Sequence, residues 1–400
     1  MKIVFINRYF YPDISATSQI LGDLAFYLSE QKKDVWVITS RQRYDDPCIK
    51  LPKYEIVHGV RVHRICTTSF GRYRFYGRVW DYLTFYWSAG IFLACRLKKG
   101  DTVISMTDPP LFSVIAAVLS RFCNARVIHW IQDLFPETAE LLKVGTVNPA
   151  ISQWIRKLRN WSLRASVFNV VICEAMAARL AGEGVERDKI RVIENWADGA
   201  HIKPLSKEKN PLIQEWKLKG KFIIEYSGNM GRAHEFMTII EAAELLKDEK
   251  NIIFLFIGDG SEKPRIEAEF RRRRLENYLF KPYQSYEKLS ESLGVADAHL
   301  ISLKRELEGC VFPSKIYGIL AAGRPVLWVG DPDGDIGSLM AQEDYGYAVE
   351  TGNFKALAER IKTLMRDPLL LESIGKRSRT VFDDLYAKNF RLKEWQKILK

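Results

Sequence analysis

Glu308-Gly-Cys-Val-Phe-Pro-Ser-Lys-Ile-Tyr-Gly-Ile-Leu-Ala-Ala-Gly-Arg-Pro-Val-Leu327 reads as a loop, a short helix and a turn into a buried strand. Pro313 suits the first helical position or the one before it, and Ser314 can cap. Ile316, Ile319 and Leu320 recur at helical spacing, Gly323 stops the run, and Pro325 opens the apolar strand Val326-Leu-Trp-Val329. A helix start presents free N–H groups and a partial positive charge, to which Lys315 adds a full one, with Glu308 just ahead. An anion cradle beside a carboxylate suits a phosphorylated ligand that also has hydroxyls to be held. Spacing by itself equally allows an ordinary helix with a proline start and a glycine stop.

Around this stretch the second half of the chain keeps an α/β rhythm. Strands are expected at Phe222–Tyr226, Ile252–Ile257, from Leu279 toward Tyr283 and Gln284, at His299–Leu303 and at Gly346–Val349, with a helix over Phe354–Met365. The loop Ser227-Gly-Asn-Met-Gly-Arg-Ala-His-Glu235 lies between a strand and a helix. Gly228 and Gly231 let a phosphate approach the backbone, and Arg232 can fork onto it. The glycine spacing is not the dinucleotide fingerprint. Asp331-Pro-Asp-Gly-Asp335 lacks the glycine and glutamate that a calcium loop needs at 336 and 342, so a strand-end turn is expected there and no metal.

The first half opens the same way, with strand Lys2–Asn7, a loop through Ser15, Ala16 and Thr17, helix Ile20–Ser29 and strand Asp34–Thr39. A hairpin around Gly59 follows over Glu55–Ile65. Later strands end at Thr107-Asp108-Pro109-Pro110 and at Gln132-Asp133-Leu-Phe-Pro-Glu137, the places where doubly wound domains keep ligands. Capping is the alternative role for Asp133 and Glu137, and His129 reads as a satisfied core histidine. Ile151–Ala165 is a basic amphipathic helix. A linker over residues 198–210 divides the chain into domains 1–203 and 204–382, with a terminal helix at 383–400.

Four hundred residues, 47% hydrophobic and 27% charged, describe two ordinary globular domains rather than a disordered chain. A net charge of +11 calls for a negative partner, with arginines and lysines grouped at 72–78, 156–159 and 271–274. Phe70–Leu97 mixes ten aromatic residues with early arginines, which suits a membrane interface or a core helix with a basic end. No nucleic-acid module pattern accompanies it, and Asp81 and Arg96 argue against a membrane span. Six scattered cysteines, with no Cys-x-x-Cys pair, fit a reducing compartment. The strand-like start at Met1–Asn7 leads us to expect no signal peptide.

Pro313-Ser-Lys-x-Tyr followed by Leu320-Ala-Ala-Gly-x-Pro resembles the retaining GT-B glycosyltransferases of family four. The nearest resemblance is to the bacterial branch that builds O-antigen, capsule or colanic-acid-like polysaccharides. His129-Trp-Ile-Gln-Asp-Leu-Phe-Pro-Glu137 and the domain exit Glu194-Asn-Trp-Ala-Asp198 are similar to the same branch. The resemblance implies two Rossmann-like domains facing across a cleft, with a C-terminal helix crossing back to the first. It implies transfer, with retention, from a nucleotide-sugar expected to be UDP-linked, an N-acetylated hexosamine among the candidates, to a lipid-linked saccharide. No obligatory metal or cofactor is implied.

On this basis Asp133, Glu308, Arg232 and Lys315 are the catalytic candidates. Donor contacts are expected from Ser15, Ala16, Gly228, Asn229, Arg232, His234, Gly258, Tyr283, Gln284, Glu308, Pro313, Ser314 and Lys315. Acceptor contacts are expected from Tyr11, Asp108, Asp133 and Glu137. Gly318 departs from the pattern by standing where the family carries a ribose-binding glutamate. A cytoplasmic protein, peripheral on the inner face of the plasma membrane and contacting anionic lipid, is expected. A nucleotide-sugar epimerase and a non-catalytic sugar-nucleotide or nucleic-acid binding protein are the rival readings.

Overall fold

A computed structural model describes residues 1–13, 15–43, 49–70, 75–144 and 148–400. Cys48, Arg72, Tyr73 and Arg74 lie outside the described residues. The chain forms two compact units, one of Met1–Glu194, Gly309–Phe312 and Leu392–Lys400, the other of Asn195–Glu308 and Pro313–Arg391. The division therefore falls at Glu194 rather than at the expected 203, and the first unit takes the C-terminal tail only from Leu392. The expected linker is an ordered part of the second unit. Lys207 Nζ lies 2.6 Å from Asp297 Oδ2, and Asn210 Nδ2 donates to the Glu291 carbonyl at 2.7 Å.

The first unit alternates β1 (Lys2–Ile6), α1 (Ala16–Glu30), β2 (Asp34–Ser40), β3 (Tyr54–Val57), β4 (Val60–Ile65), α2 (Phe75–Arg96), β5 (Thr102–Met106), α3 (Phe112–Cys123) and β6 (Arg126–Ile131). It continues with α4 (Glu137–Leu141), α5 (Pro149–Ala165), β7 (Phe168–Val171), α6 (Glu174–Gly182) and β8 (Ile190–Val192). The strands form one sheet in the order β3-β4-β2-β1-β5-β6-β7-β8. Only β3 runs antiparallel, paired to β4 through the Gly59 turn. β1 and β5 are buried along their whole length, as the apolar runs require when helices cover both faces of a parallel sheet. Phe85, Ala89 and Leu93 of α2 and Phe112 and Ala116 of α3 pack on Val4, Ile38, Val103 and Val127.

The second unit continues with α7 (Pro211–Glu215), β9 (Phe222–Ser227), α8 (Met237–Leu245), β10 (Ile252–Ile257), α9 (Lys263–Arg272), β11 (Tyr278–Lys281), α10 (Leu289–Gly294) and β12 (Ala298–Ser302). Then come α11 (Lys315–Ala321), β13 (Val326–Gly330), α12 (Asp335–Glu343), β14 (Gly346–Glu350), α13 (Phe354–Arg366), α14 (Pro368–Val381) and α15 (Lys388–Ile398). Its all-parallel sheet runs β11-β10-β9-β12-β13-β14, so the strand order reverses between β9 and β12. Loops leaving the carboxyl ends of strands at such a switch point diverge and leave a crevice for a ligand.

Several of the clustered arginines are paired within the fold. Arg271 and Arg272 pair with Glu267 and Glu269 one helical turn back, and Arg273 pairs with Glu244. In the first unit, buried Arg159 donates to Glu137 Oε2 at 2.6 Å and also pairs with Glu183, while Arg156 Nε lies 3.0 Å from Glu137 Oε1. Glu137, expected to face an acceptor, is thus a buried structural anion. Burial pushes its carboxyl up, but the Arg159 and Arg156 guanidiniums outweigh that and hold it below the usual range.

Arg159→Met leaves Glu137 buried with one of its two arginines gone and removes the guanidinium from Glu183. The variant should lose about 3–5 kcal/mol of stability in urea denaturation at pH 7. Because Glu137 titrates lower folded than unfolded, its contribution is present above the ordinary carboxylate pKa and fades as pH falls through the folded one. The gap between parent and variant should therefore narrow below about pH 4.5.

Candidate functional site

The crevice of the second unit is built by glycine on glycine. Gly258, at φ 128°, ends β10 so close to the β9 loop that a Cβ would stand 2.3 Å from the Gly228 carbonyl oxygen. Gly260, at φ 153°, would place one 2.4 Å from the Met230 carbonyl. Only residues without a side chain hold both the left-handed backbone and the close approach. The loops are then laced by Gly228 N–H to Ile257 O at 2.9 Å and Met230 N–H to Asp259 O at 2.8 Å. These two amides are consumed by the fold, so they do not contribute to the anion cradle expected from this loop.

The positive charge comes instead from Lys315, at the first position of α11. Its stem runs beside Gly228, where a Cβ would sit 3.6 Å from Nζ. Nζ lies 3.6 Å from the centre of the Tyr226 ring and is buried with no hydrogen-bond partner among the described residues. Burial drives its pKa well below that of an ordinary lysine. His234 closes the same corner, with Nδ1–H donating to the Ser302 carbonyl at 2.6 Å across the switch point. Burial, then the Lys315 charge, depress its pKa to about 3, so the imidazole is neutral. Arg232 is exposed and makes no ion pair or hydrogen bond with a described residue.

Glu308 stands at the N-terminus of α12 and accepts the Asp335 N–H on Oε1 at 2.9 Å. Gly334 makes room, since a Cβ there would meet the carboxyl carbon at 2.7 Å. Burial, aided by Asp335 and Asp331, outweighs that bond and raises the carboxyl pKa. Pro313 is buried, while Ser314 is exposed and its side chain makes no capping bond, contrary to expectation. The exposed Tyr283 ring borders Gly258, and Gln284 Nε2 donates to the Pro282 carbonyl at 3.0 Å. Asn229 packs against Gly231, and its carbonyl accepts the Tyr226 hydroxyl at 3.0 Å. The loop Asp331–Asp335 is the expected turn, with Asp331 Oδ1 accepting the Asp333 N–H at 3.1 Å.

In the first unit, Asp133 lines a partly open pocket of about 40 Å³ with Thr107, His129 and Arg159. Burial raises its carboxyl pKa against a hydrogen bond from Thr107. Its backbone bridges to Val311, and Leu134 N–H donates to the Cys310 carbonyl at 2.9 Å, which fixes the strand end. His129 is only half satisfied: Nε2–H donates to the Ser162 carbonyl at 3.2 Å, Nδ1 has no partner, and burial lowers its pKa to about 4. Asp108 accepts the Arg8 N–H on its carbonyl at 2.7 Å, and Tyr11 is exposed with its carbonyl held by Arg64. Ser15 precedes α1 and Ala16 begins it; both belong to the first unit, whereas the other donor candidates belong to the second.

Lys315, His234, Gly228, Gly258 and Tyr283 are thus brought together. Tyr226, Ser302 and Gly260 belong to this site and were not singled out from sequence. Only Gly260 carried a readable signal, in Gly258-Asp-Gly260.

The chain thus consists of two α/β units, and beside the switch point of the second lies a buried amine with no hydrogen-bond partner among the described residues. Residues 207–381 match the family model described as Glycosyl transferases group 1, and residues 16–196 match the Glycosyl transferase 4-like domain. The chain is a glycosyltransferase of group 1. It is 27% identical over 308 residues to the probable glycosyltransferase WbjE of Pseudomonas aeruginosa, covering 76% of this chain and 75% of the relative. It is 26% identical over 364 residues to the putative colanic acid biosynthesis glycosyl transferase WcaI of Escherichia coli K12, covering 85% and 86%. Anabaena HepE, solved with UDP, superposes with a TM-score of 0.75 at 13% identity, over 100% of this chain and 99% of that one. The shared fold is the two-domain GT-B type.

Gly318 faces Leu293 Cδ1 and Ile202 Cδ1, at 3.4 and 3.9 Å from an added Cβ, which is ordinary contact. Space does not require glycine there. Gly318→Ala should stabilise the protein by about 0.5–1 kcal/mol through a less flexible unfolded chain. A lowered urea midpoint would show that the missing side chain is needed for packing.

Proposed function

We propose that the second unit binds a UDP-linked sugar, an N-acetylated hexosamine among the candidates. The sugar is transferred with retention to a lipid-linked saccharide in bacterial surface polysaccharide synthesis. The observation that carries this is the buried, unpaired amine of Lys315 beside Gly228. An ammonium deprived of water and of any protein anion is stabilised by a ligand that brings one, such as a diphosphate. UDP is the ligand in the HepE structure, and colanic acid synthesis is the role in WcaI's name.

In this reading Lys315, with Arg232 and the Ser314 hydroxyl, stabilises the charge on the departing UDP, and no metal is invoked. Glu308 accepts from sugar hydroxyls. Asp133, whose carboxyl is raised by burial, is assigned to the acceptor and works as a base only once ionised. The enzyme would act in the cytoplasm, on the inner face of the plasma membrane.

UDP should restore the ammonium form of Lys315, so that binding above the unliganded pKa of this group takes up a proton. Calorimetry at a series of pH values from neutrality up to the ordinary lysine pKa, in buffers of different ionisation enthalpy, should show that uptake. Lys315→Met should abolish it and weaken UDP binding by about ten- to a hundredfold, the worth of a charge-assisted bond. Unchanged affinity in the variant would remove Lys315 from the donor site. Screening UDP-sugars with lipid-linked acceptors tests the reaction itself: release of UDP without a glycosylated acceptor counts against transfer, and a changed free sugar nucleotide points to the epimerase.

A further inference from the structure

The helix α2 (Phe75–Arg96) is apolar on both sides. Its inner face, Phe85, Ala89 and Leu93, is committed to the core. Its outer face carries Tyr76, Trp80, Leu83, Trp87 and Ile91, all exposed, Trp87 by 74%. Steps of three and four residues align these five side chains in one stripe along the helix. From Val79 to Cys95 the only charged residue is Asp81, which is buried and lies 3.2 Å from Arg8, so the outer face between those residues carries no charge. A shallow groove of about 440 Å³ beside the helix is lined by Trp80, Leu83 and Trp87 together with Thr67 and Thr68. A stripe of this length is far from the scattered apolar residues of an ordinary surface.

We infer that this face of α2 is a lipid-interface surface, lying in the plane of an anionic bilayer with the tryptophans inserted at headgroup depth. The chemistry selects lipid in three ways. Trp and Tyr combine an apolar body with an N–H or O–H handle, which suits the boundary between acyl chains and water. Cations stand near both ends of the stripe, with Arg78 between Tyr76 and Trp80 and exposed Arg96, Lys98 and Lys99 after Ile91, and the chain carries +11 in all. Finally, no helix among the described residues is long and apolar enough to cross a membrane, and the inner face of α2 is already packed, so the helix lies on the bilayer rather than through it. The main attraction is apolar insertion, with the flanking cations adding a salt-sensitive part. This surface deepens the membrane location proposed above, but it stands on α2 and not on the sugar chemistry.

Vesicle sedimentation of the full chain tests it, using phosphatidylethanolamine–phosphatidylglycerol vesicles and phosphatidylcholine vesicles. The parent should bind the anionic vesicles more tightly and retain part of that binding in 0.5 M salt, where the screening length has fallen below about 5 Å. Trp80→Ser/Trp87→Ser should reduce partitioning at least about tenfold at both salt concentrations, because insertion scales with buried apolar area. Its thermal melt should stay unchanged, since both side chains are exposed. Arg96→Gln/Lys98→Gln/Lys99→Gln should lose binding chiefly at low salt. A tryptophan variant that partitions like the parent overturns the inference. So does a parent dimer, seen by ultracentrifugation, that the same substitutions dissociate, because a second copy of the chain would then be what covers the face. Loss of vesicle binding with UDP binding intact separates this surface from the donor site.

Discussion

An amine held out of water beside an aromatic ring sets the terms for the second unit. Lys315 Nζ has the Tyr226 ring at 3.6 Å and no hydrogen-bond acceptor among the described residues. Desolvating an ammonium costs several kcal/mol, and a cation–π contact returns only part of it. Burial accordingly drives the pKa of this amine well below that of an ordinary lysine. His234 is neutral and points its N–H away, at Ser302, and the amides of Gly228 and Met230 are turned onto β10. An incoming dianion changes this balance at once, because it supplies the counter-charge the fold withholds. In the proposed reading, ligand binding and proton binding are coupled at this amine.

Glycine makes that arrangement possible. Gly228, Gly258 and Gly260 all lie at positive φ, and two of them would clash with backbone if they carried a Cβ. They let two strand-end loops touch, which brings the Lys315 stem against Gly228. A similar economy shapes the acidic side of the site, where Gly334 leaves room for the Glu308 carboxyl at the α12 amides.

The first unit deals with buried charge in the opposite way, by saturating it. Arg159 answers Glu137, Glu183 and the Phe135 carbonyl, and Asp81 answers Arg8. Asp133, held by Thr107, shares one pocket with His129, whose Nδ1 has no hydrogen-bond partner among the described residues. Composition alone gives a net charge without saying where it is available. Arginines at 156, 159 and 271–273 are paired with carboxylates, so the excess positive charge lies on other residues.

Local pattern determined the strands, most helices and the two α/β halves, because burial on both faces of a parallel sheet writes itself as continuous apolar runs. It also placed Lys315, Gly228 and Gly258 correctly at strand ends and a helix start. Tertiary structure alone decided the rest. Tyr226 looks like any core strand residue until the α11 lysine is laid over it, and Ser302 joins the site only because β12 is the neighbour of β9. Glu137, read as a ligand, became a structural anion because α5 delivers two arginines to it. The sequence reads α2 as a membrane interface or a core helix with a basic end, and a helix apolar on both sides shows its outer face only when the inner one has been assigned to a core. Spacing along a chain fixes which residues share a face; which face meets water, a neighbour or a ligand depends on contacts between segments far apart in sequence.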